Sequence, residues 1–369
     1  MKNILMICNT VYQILVASWI KTTLLQRDCV DIIISDHMND HEKIAENMKK
    51  ANLFNDVMTV ESKAYAYAFE RHYQTEKEEK LCKMFPNREL KHYVDLHKRY
   101  DALYTSNFDT FVQMLYDALY RRKKSIKLYI FEDGLSTYSK HSQMLYESTK
   151  LSKEEAEKAK SCPIFGKRVF YQHVEAMYVF NPELVEWSTD FSIQQLAHID
   201  CANAAFKQAM NTVFGYENLE DTYSEKYIFF EESFYAETGY MEDVKLVEQL
   251  ASVLGKENFL IKIHPRNPEN RFAELGYKTN KNTAIPWELI AMNLDVTSKK
   301  LITISSTSIL NPICVLGLDT KSYALINCLE NKPDIMNGVL GQTALSFYHY
   351  YADNICICKN IADVIDKGD

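Results

Sequence analysis

The sequence predicts an α/β protein built of two doubly wound parallel sheets in tandem. Three observations carry this. Short apolar runs alternate with longer amphipathic stretches along the chain, the signature of parallel α/β units. A length of 369 residues exceeds what one hydrophobic core usually serves. A polar stretch, Gly215-Tyr216-Glu217-Asn218, separates one such series from the next. The expected units are residues 1–220 and 225–369.

In the first series the expected strands are Asn3–Cys8, Val30–Ser35, Ala102–Thr105 and Ile126–Phe131. Apolar residues at helical spacing place helices over Val11–Leu25, His41–Asn52 and Phe108–Tyr120. A charged stretch from Tyr146 to Ser161, including Ser152–Lys158, reads as an exposed helix. Arg121-Arg122-Lys123-Lys124 sits at a helix end; a solvated last turn is the plainer reading and a membrane-surface contact the sharper one. In the second series strands are expected at Tyr227–Glu231, Phe259–Ile263, Leu301–Ile304, Ser322–Ile326 and Ile355–Cys358, with helices at Glu242–Leu254, Trp287–Leu294 and Ser308–Leu316. Two Rossmann-like domains facing each other across a cleft is the arrangement called GT-B. Ligands of such sheets sit at the carboxyl ends of strands, so the strand-to-helix turns are where chemistry belongs.

Composition narrows the function. Lys and Arg number 42 against 50 Asp and Glu, a net charge of −8, and 47% of the chain is apolar, so the chain is an ordinary globular protein. An acidic balance without a large basic block argues against nucleic acid as a partner. No apolar run is long enough to span a bilayer, and the run Ile4–Cys8 is too short for a signal segment. Nine scattered cysteines without a CxxC pair fit the reducing cytoplasm. Cys356-Ile357-Cys358 is the one close pair, and strand alternation puts both thiols on one face.

Four turns stand out. Cys8-Asn9-Thr10-Val11-Tyr12-Gln13 lacks the glycines of a dinucleotide turn. Asn9 and Thr10 read either as a plain helix cap or, with Gln13, as polar contacts for a polyhydroxylated ligand. Tyr129-Ile130-Phe131-Glu132-Asp133-Gly134 delivers two acids to a strand tip, with a glycine for the exit. Adjacent carboxylates point to different sides, so one can act as a general base while the other braces the turn. Ile261-Lys262-Ile263-His264-Pro265-Arg266 puts Lys262 and His264 on one side of a strand end, and Pro265 stops the ladder there; this reads as an anion site. Ile304-Ser305-Ser306-Thr307-Ser308 brings four hydroxyls to a helix start, a place for phosphate or for simple capping. Between the last two turns, Pro286-Trp287-Glu288 opens a helix, with Glu288 either favoured by the helix dipole or accepting hydrogen bonds from ribose.

Glu132-Asp133-Gly134, Lys262-x-His264-Pro265, Pro286-Trp287-Glu288 and Ser305-Ser306, in that order, resemble the bacterial sialyltransferases. Asn9-Thr10-x-Tyr12-Gln13 and the modest length look most like glycosyltransferase family 52, the lipooligosaccharide α-2,3-sialyltransferases. The resemblance implies inverting transfer of sialic acid from CMP-sialic acid to a galactose-terminated glycan. Asp133 would be the base, and His264, as imidazolium in the complex, would assist departure of the CMP phosphate. Lys262, Pro265, Glu288, Ser305 and Ser306 would hold the donor; Asn9, Thr10, Gln13, Glu132 and Gly134 would lie on the acceptor or sugar side. The resemblance also implies an acid shortly upstream of His-Pro. No position between Glu231 and Asp243 matches it cleanly, and Glu237 is the second choice for the base. It further implies a homodimer, while the cysteines point to the cytoplasm and the basic cluster to a peripheral place at the inner face of the membrane. No Asp is followed by another two positions on, and no HExxH occurs, so neither a metal nor any other cofactor is expected. Three alternatives stay open: a transferase of another CMP-sugar such as CMP-Kdo, a polysialyltransferase (against which the charge of −8 weighs), and a non-catalytic nucleotide- or glycan-binding protein.

Overall fold

The computed structural model describes residues 1–63, 90, 98–148, 173–220, 222–264, 266–280 and 285–366. The charged stretch Ser152–Lys158 and Pro265 lie outside them. The chain divides into two compact units: Met1–Leu196 with Gln208–Gly215, and Ala197–Lys207 with Tyr216–Asp369.

Among the described residues the first unit holds seven parallel strands and the second six; those of the first are β1 (Asn3–Cys8), β2 (Cys29–Ser35), β3 (Asp56–Val60), β4 (Ala102–Thr105), β5 (Lys127–Phe131), β6 (Val174–Val179) and β7 (Ser192–Gln195). Their order is β3-β2-β1-β4-β5-β6-β7. The second unit repeats the plan with six: β8 (Tyr227–Phe230), β9 (Phe259–Lys262), β10 (Lys278–Asn280), β11 (Lys300–Thr303), β12 (Lys321–Ala324) and β13 (Ile355–Ile357), in the order β10-β9-β8-β11-β12-β13. In each sheet the strand order reverses once, between β1 and β4 and between β8 and β11. A crevice opens at such a switch point, and ligands of open parallel sheets lie there.

The central strands read as unbroken apolar runs because helices cover both faces of a parallel sheet. Leu5, Leu103 and Leu128 of three adjacent strands pack with Phe111, Leu115 and Leu119 of the helix Thr110–Arg122. In the second unit Phe229, Phe259 and Ile302 pack with Val247 and Leu250 of the helix Glu242–Leu254. Truncating Leu115 or Leu250 to alanine costs about 2–5 kcal/mol, the usual price of a buried cavity.

Several expectations change. Strands β3, β6, β7 and β10 were not anticipated; β7 (Ser-Ile-Gln-Gln) and β10 (Lys-Thr-Asn) are sheet edges, where polar side chains discourage further pairing and erase the apolar signal. Helices Ala204–Phe214 and Val339–Tyr350 were missed as well. The expected helix Ser308–Leu316 is instead a 3₁₀ turn, Thr307–Ile309, followed by a single α-turn, Asn311–Cys314. Pro312 has no N–H to donate to the Ser308 carbonyl, and the Trp287 indole N–H takes that carbonyl at 2.8 Å. At the basic cluster, Arg121 pairs with Asp117 at 2.8 Å, Lys123 pairs with Asp101, and Lys124 lies 4.2 Å from the Tyr120 ring centre. The thiols of Cys356 and Cys358 share one face, 4.0 Å apart. Among the described residues no helix is long and apolar enough to cross a membrane.

Candidate active site

In the first unit, the turns after β1, β4 and β5 converge on a cavity of about 410 Å³. Thr10 caps the helix Val11–Thr23: its hydroxyl accepts the Gln13 N–H at 3.1 Å and donates to the Asp133 carboxylate at 3.5 Å. The Gln13 side chain, fully buried, accepts the Asn9 N–H at 2.6 Å. Asn9 accepts the Ser35 hydroxyl at 2.7 Å and donates to Asp109 at 3.3 Å. Asn9, Thr10, Gln13 and Asp133 therefore line one space.

Asp133 is half-buried, and its N–H is fixed on the Thr137 hydroxyl at 2.7 Å. Burial raises its carboxyl above the ordinary range, with only Thr10 and Gln13 opposing. That is the direction a general base near neutral pH requires. Glu132 turns the other way. Tyr12 donates to it at 2.8 Å, the Phe180 N–H at 2.9 Å and the Tyr138 hydroxyl from a third side, so it braces the turn and does not line the cavity. Burial pushes it up to about 7. Gly134, also outside the lining, takes φ +66°, the left-handed conformation that glycine adopts without strain.

His37 and Asp109 line the same cavity and were missed. Asp109 caps the helix Thr110–Arg122 through the Val112 N–H at 2.9 Å, and burial raises its carboxyl. Desolvation lowers His37. An Asp ahead of a helix is a legible cap; nothing local marks His37.

In the second unit, Ile261 and Ile263 enter the core while Lys262 and His264 stay half-buried, as alternation requires. Desolvation lowers the Lys262 amine to about 8, opposed by the buried Glu288. Burial raises Glu288, which the Asn311 amide and Lys262 oppose. His264 is uncharged without ligand. Burial first, then Arg266 and Lys262, push its imidazole down to about 4, against Glu237. Its Nδ1 accepts the Arg266 N–H at 3.2 Å, which leaves the proton on Nε2. In the unliganded protein the ring is thus neutral at pH 7 and a hydrogen-bond donor through Nε2, whereas the imidazolium was expected for the complex with bound phosphate.

The serine turn shows the capping arrangement. The Ser305 N–H donates to Glu232 at 2.7 Å and its hydroxyl to the same oxygen at 3.4 Å. The Ser306 N–H donates to Thr303 at 3.1 Å, and its hydroxyl accepts the Ser308 N–H at 3.2 Å. The Ser305 amide is thus engaged by the tip of β8 and the Ser306 amide by the end of β11, and two short turns, Thr307–Ile309 and Asn311–Cys314, follow in place of a regular helix. Glu237, on the short helix Phe234–Thr238, pairs with Arg266 at 2.9 Å.

Residues 4–324 match the family model Alpha-2,8-polysialyltransferase (POLYST). No curated protein sequence matches. Among solved structures, a Listeria monocytogenes protein described as a UDP-N-acetylglucosamine 2-epimerase is similar with a TM-score of 0.51 and 12% identity, over 99% of this chain and 86% of that one. Arabidopsis thaliana UGT89C1 complexed with UDP is similar with a TM-score of 0.45 and 12% identity, over 88% and 80%. At 12% identity the likeness to the first of these bears on the fold alone, which is GT-B-like. The resemblance to bacterial sialyltransferases stands, and the family shown is a different specificity from the α-2,3 one expected: the chain belongs to the alpha-2,8-polysialyltransferase family.

Proposed function

We propose that this member of the alpha-2,8-polysialyltransferase family moves sialic acid from CMP-sialic acid to a sugar hydroxyl with inversion, Asp133 being the base. One observation supports this most: a half-buried carboxyl with a raised pKa, at the tip of β5, lining a cavity of about 410 Å³ at a switch point. A cavity of that size fits a small sugar. Asp133 takes the proton of the acceptor hydroxyl as its oxygen bonds to the anomeric carbon. The bond from that carbon to the phosphate breaks, and its electron pair stays on CMP. The His264 Nε2–H offers the phosphate a hydrogen bond, and the Lys262 amine, lowered only to about 8 and so still mostly charged at pH 7, offsets its charge. Glu288 and Pro265 belong to the cytidine and phosphate side, with the hydroxyls of Ser305 and Ser306. Glu132 and Gly134 shape the Asp133 turn. Glu237 remains the second choice for the base. No metal or other cofactor is part of the reaction, and a homodimer and membrane contact of the Arg121–Lys124 corner belong to the same proposal.

For the acceptor we favour a galactose-terminated glycan, joined α-2,3. Beside Asp133 the lining places a second carboxylate, Asp109, amides and an indole, which suit an uncharged sugar better than an acidic one. The family match favours a second reading, in which the acceptor ends in sialic acid and the product grows as an α-2,8 chain. Incubation with CMP-sialic acid and either lactose or oligosialic acid decides. CMP release with a single sialylated lactose supports the first reading; a ladder on oligosialic acid supports the second; no CMP release with either removes the transferase.

A further inference from the structure

We propose that Glu231 and Glu232, the adjacent acids leaving β8, are positioning residues, Glu231 for the turn that carries His264 and Glu232 for the turn that carries Ser305. This rests on the reading of those turns as the donor side. Strand β8 lies between β9 and β11, so its tip has one of these turns on either hand. One Glu231 oxygen accepts the His264 backbone N–H at 3.0 Å. The other accepts Arg271 at 2.7 Å, and Asp243 grips the same guanidinium at 2.6 and 3.1 Å. All three charged groups are buried. Glu232, also buried, reaches the other neighbour: one oxygen accepts the Thr303 hydroxyl at 2.9 Å, the Ser305 N–H at 2.7 Å and the Ser305 hydroxyl at 3.4 Å.

Burying a carboxylate is costly unless several donors meet it. Here the donors include the backbone N–H of each flanking turn, just where the donor-side residue sits, and not the ladder that holds the sheet. The two acids differ in how their oxygens are engaged. Both oxygens of Glu231 are used, one by a backbone N–H and one by a cation. A glutamine there must aim its NH₂ group at one of these donors. At Glu232 the described contacts all fall on Oε1, so a glutamine can keep its oxygen on them and turn its NH₂ group to the other side.

The full chain as wild type, Glu231→Gln, Glu232→Gln and Glu232→Ala tests this by two readouts. The first is hydrogen exchange of the His264 and Ser305 backbone amides without ligand. Glu231→Gln is expected to speed the His264 amide by about tenfold or more and leave Ser305 unchanged; Glu232→Ala is expected to do the reverse, with Glu232→Gln restoring wild-type protection. The second is steady-state kinetics with CMP-sialic acid and lactose. Glu231→Gln should lower kcat, Glu232→Ala should raise the donor KM by about tenfold, and Glu232→Gln should bring KM back to within about threefold of wild type. Equal behaviour of the two glutamine variants, or exchange that rises at both amides together, overturns the proposal. A wild type that releases no CMP with either lactose or oligosialic acid refutes the transferase reading, and the amide pattern then decides the positioning role by itself.

Discussion

The tips of β5 and β8 carry the same local sequence, an apolar strand ending in two acids, and put it to different uses. After β5, Glu132 faces inward onto Tyr12, Tyr138 and the Phe180 amide, while Asp133 lines a cavity. After β8, both acids face inward, one onto Arg271 and the His264 amide and the other onto Thr303 and Ser305. Burial lifts Glu132 and Glu232 alike to about 7. What distinguishes a candidate base from a brace is therefore not the motif or the shifted pKa. It is whether the carboxylate lines a cavity or is closed off among donors inside the unit.

That comparison can be strained first through Glu132. Its carboxyl ordinarily titrates near 4.5 and here near 7, so between those values the folded chain holds a proton that the unfolded chain releases. Its contribution to stability thus falls as pH rises from 4.5 to 7, by about 3 kcal/mol at 1.36 kcal/mol per pKa unit, and is level above. Urea unfolding of wild type and Glu132→Gln at both ends of that window should show the gap between them changing by this amount; parallel stabilities would mean that Glu132 is not held as a buried acid. A smaller effect is expected on the donor side. Lys262→Ala and Ser306→Ala should weaken CMP binding by roughly tenfold to a hundredfold, the scale of a charge-assisted hydrogen bond of about 1.5–3 kcal/mol. Calorimetric titration with CMP checks this, and unchanged affinity in both would take the phosphate away from β9 and β11. Smaller still is Gly134→Ala. A Cβ there meets nothing within 4 Å, so the left-handed backbone alone costs about 1 kcal/mol, and Gly134→Asn should cost less. Thermal unfolding ranks the two; a larger loss for asparagine would show that space matters at this turn. The smallest expected effect is none, with activity unchanged in excess EDTA. Loss in EDTA with recovery in Mg²⁺ or Mn²⁺ would mean that the leaving group has been misread.

Much of this was legible in the sequence, for physical reasons that also mark where it was not. Strand β1 and the helix Glu242–Leu254 match their expected bounds because their apolar spacing is uninterrupted. Edges β7 and β10 have no such pattern to read. Pro312 was visible, yet its consequence, a broken helix with an indole on the released carbonyl, needed the tertiary partner Trp287. The positions of Asp133, Lys262 and His264 at strand tips followed from alternation. The protonation of His264 did not, because burial and the Arg266 N–H on Nδ1 decide it. Arg271 lies 40 residues from Glu231 in the chain, and no local pattern joins them. The net charge of −8 weighed against a polysialyltransferase, yet the family match is to that family. Net charge speaks to solubility and long-range steering, and not to the lining of one groove.

The central claim is that the acid facing the first unit's cavity is the base, and the most direct measurement is turnover of Asp133→Asn beside Glu237→Gln, with CMP binding measured in both. Loss of a general base costs about 10²- to 10⁴-fold in rate. The account predicts a fall of that size in kcat for Asp133→Asn with CMP affinity intact, and little change for Glu237→Gln. Near-normal turnover in Asp133→Asn with activity abolished in Glu237→Gln would contradict it and move the base to the second unit.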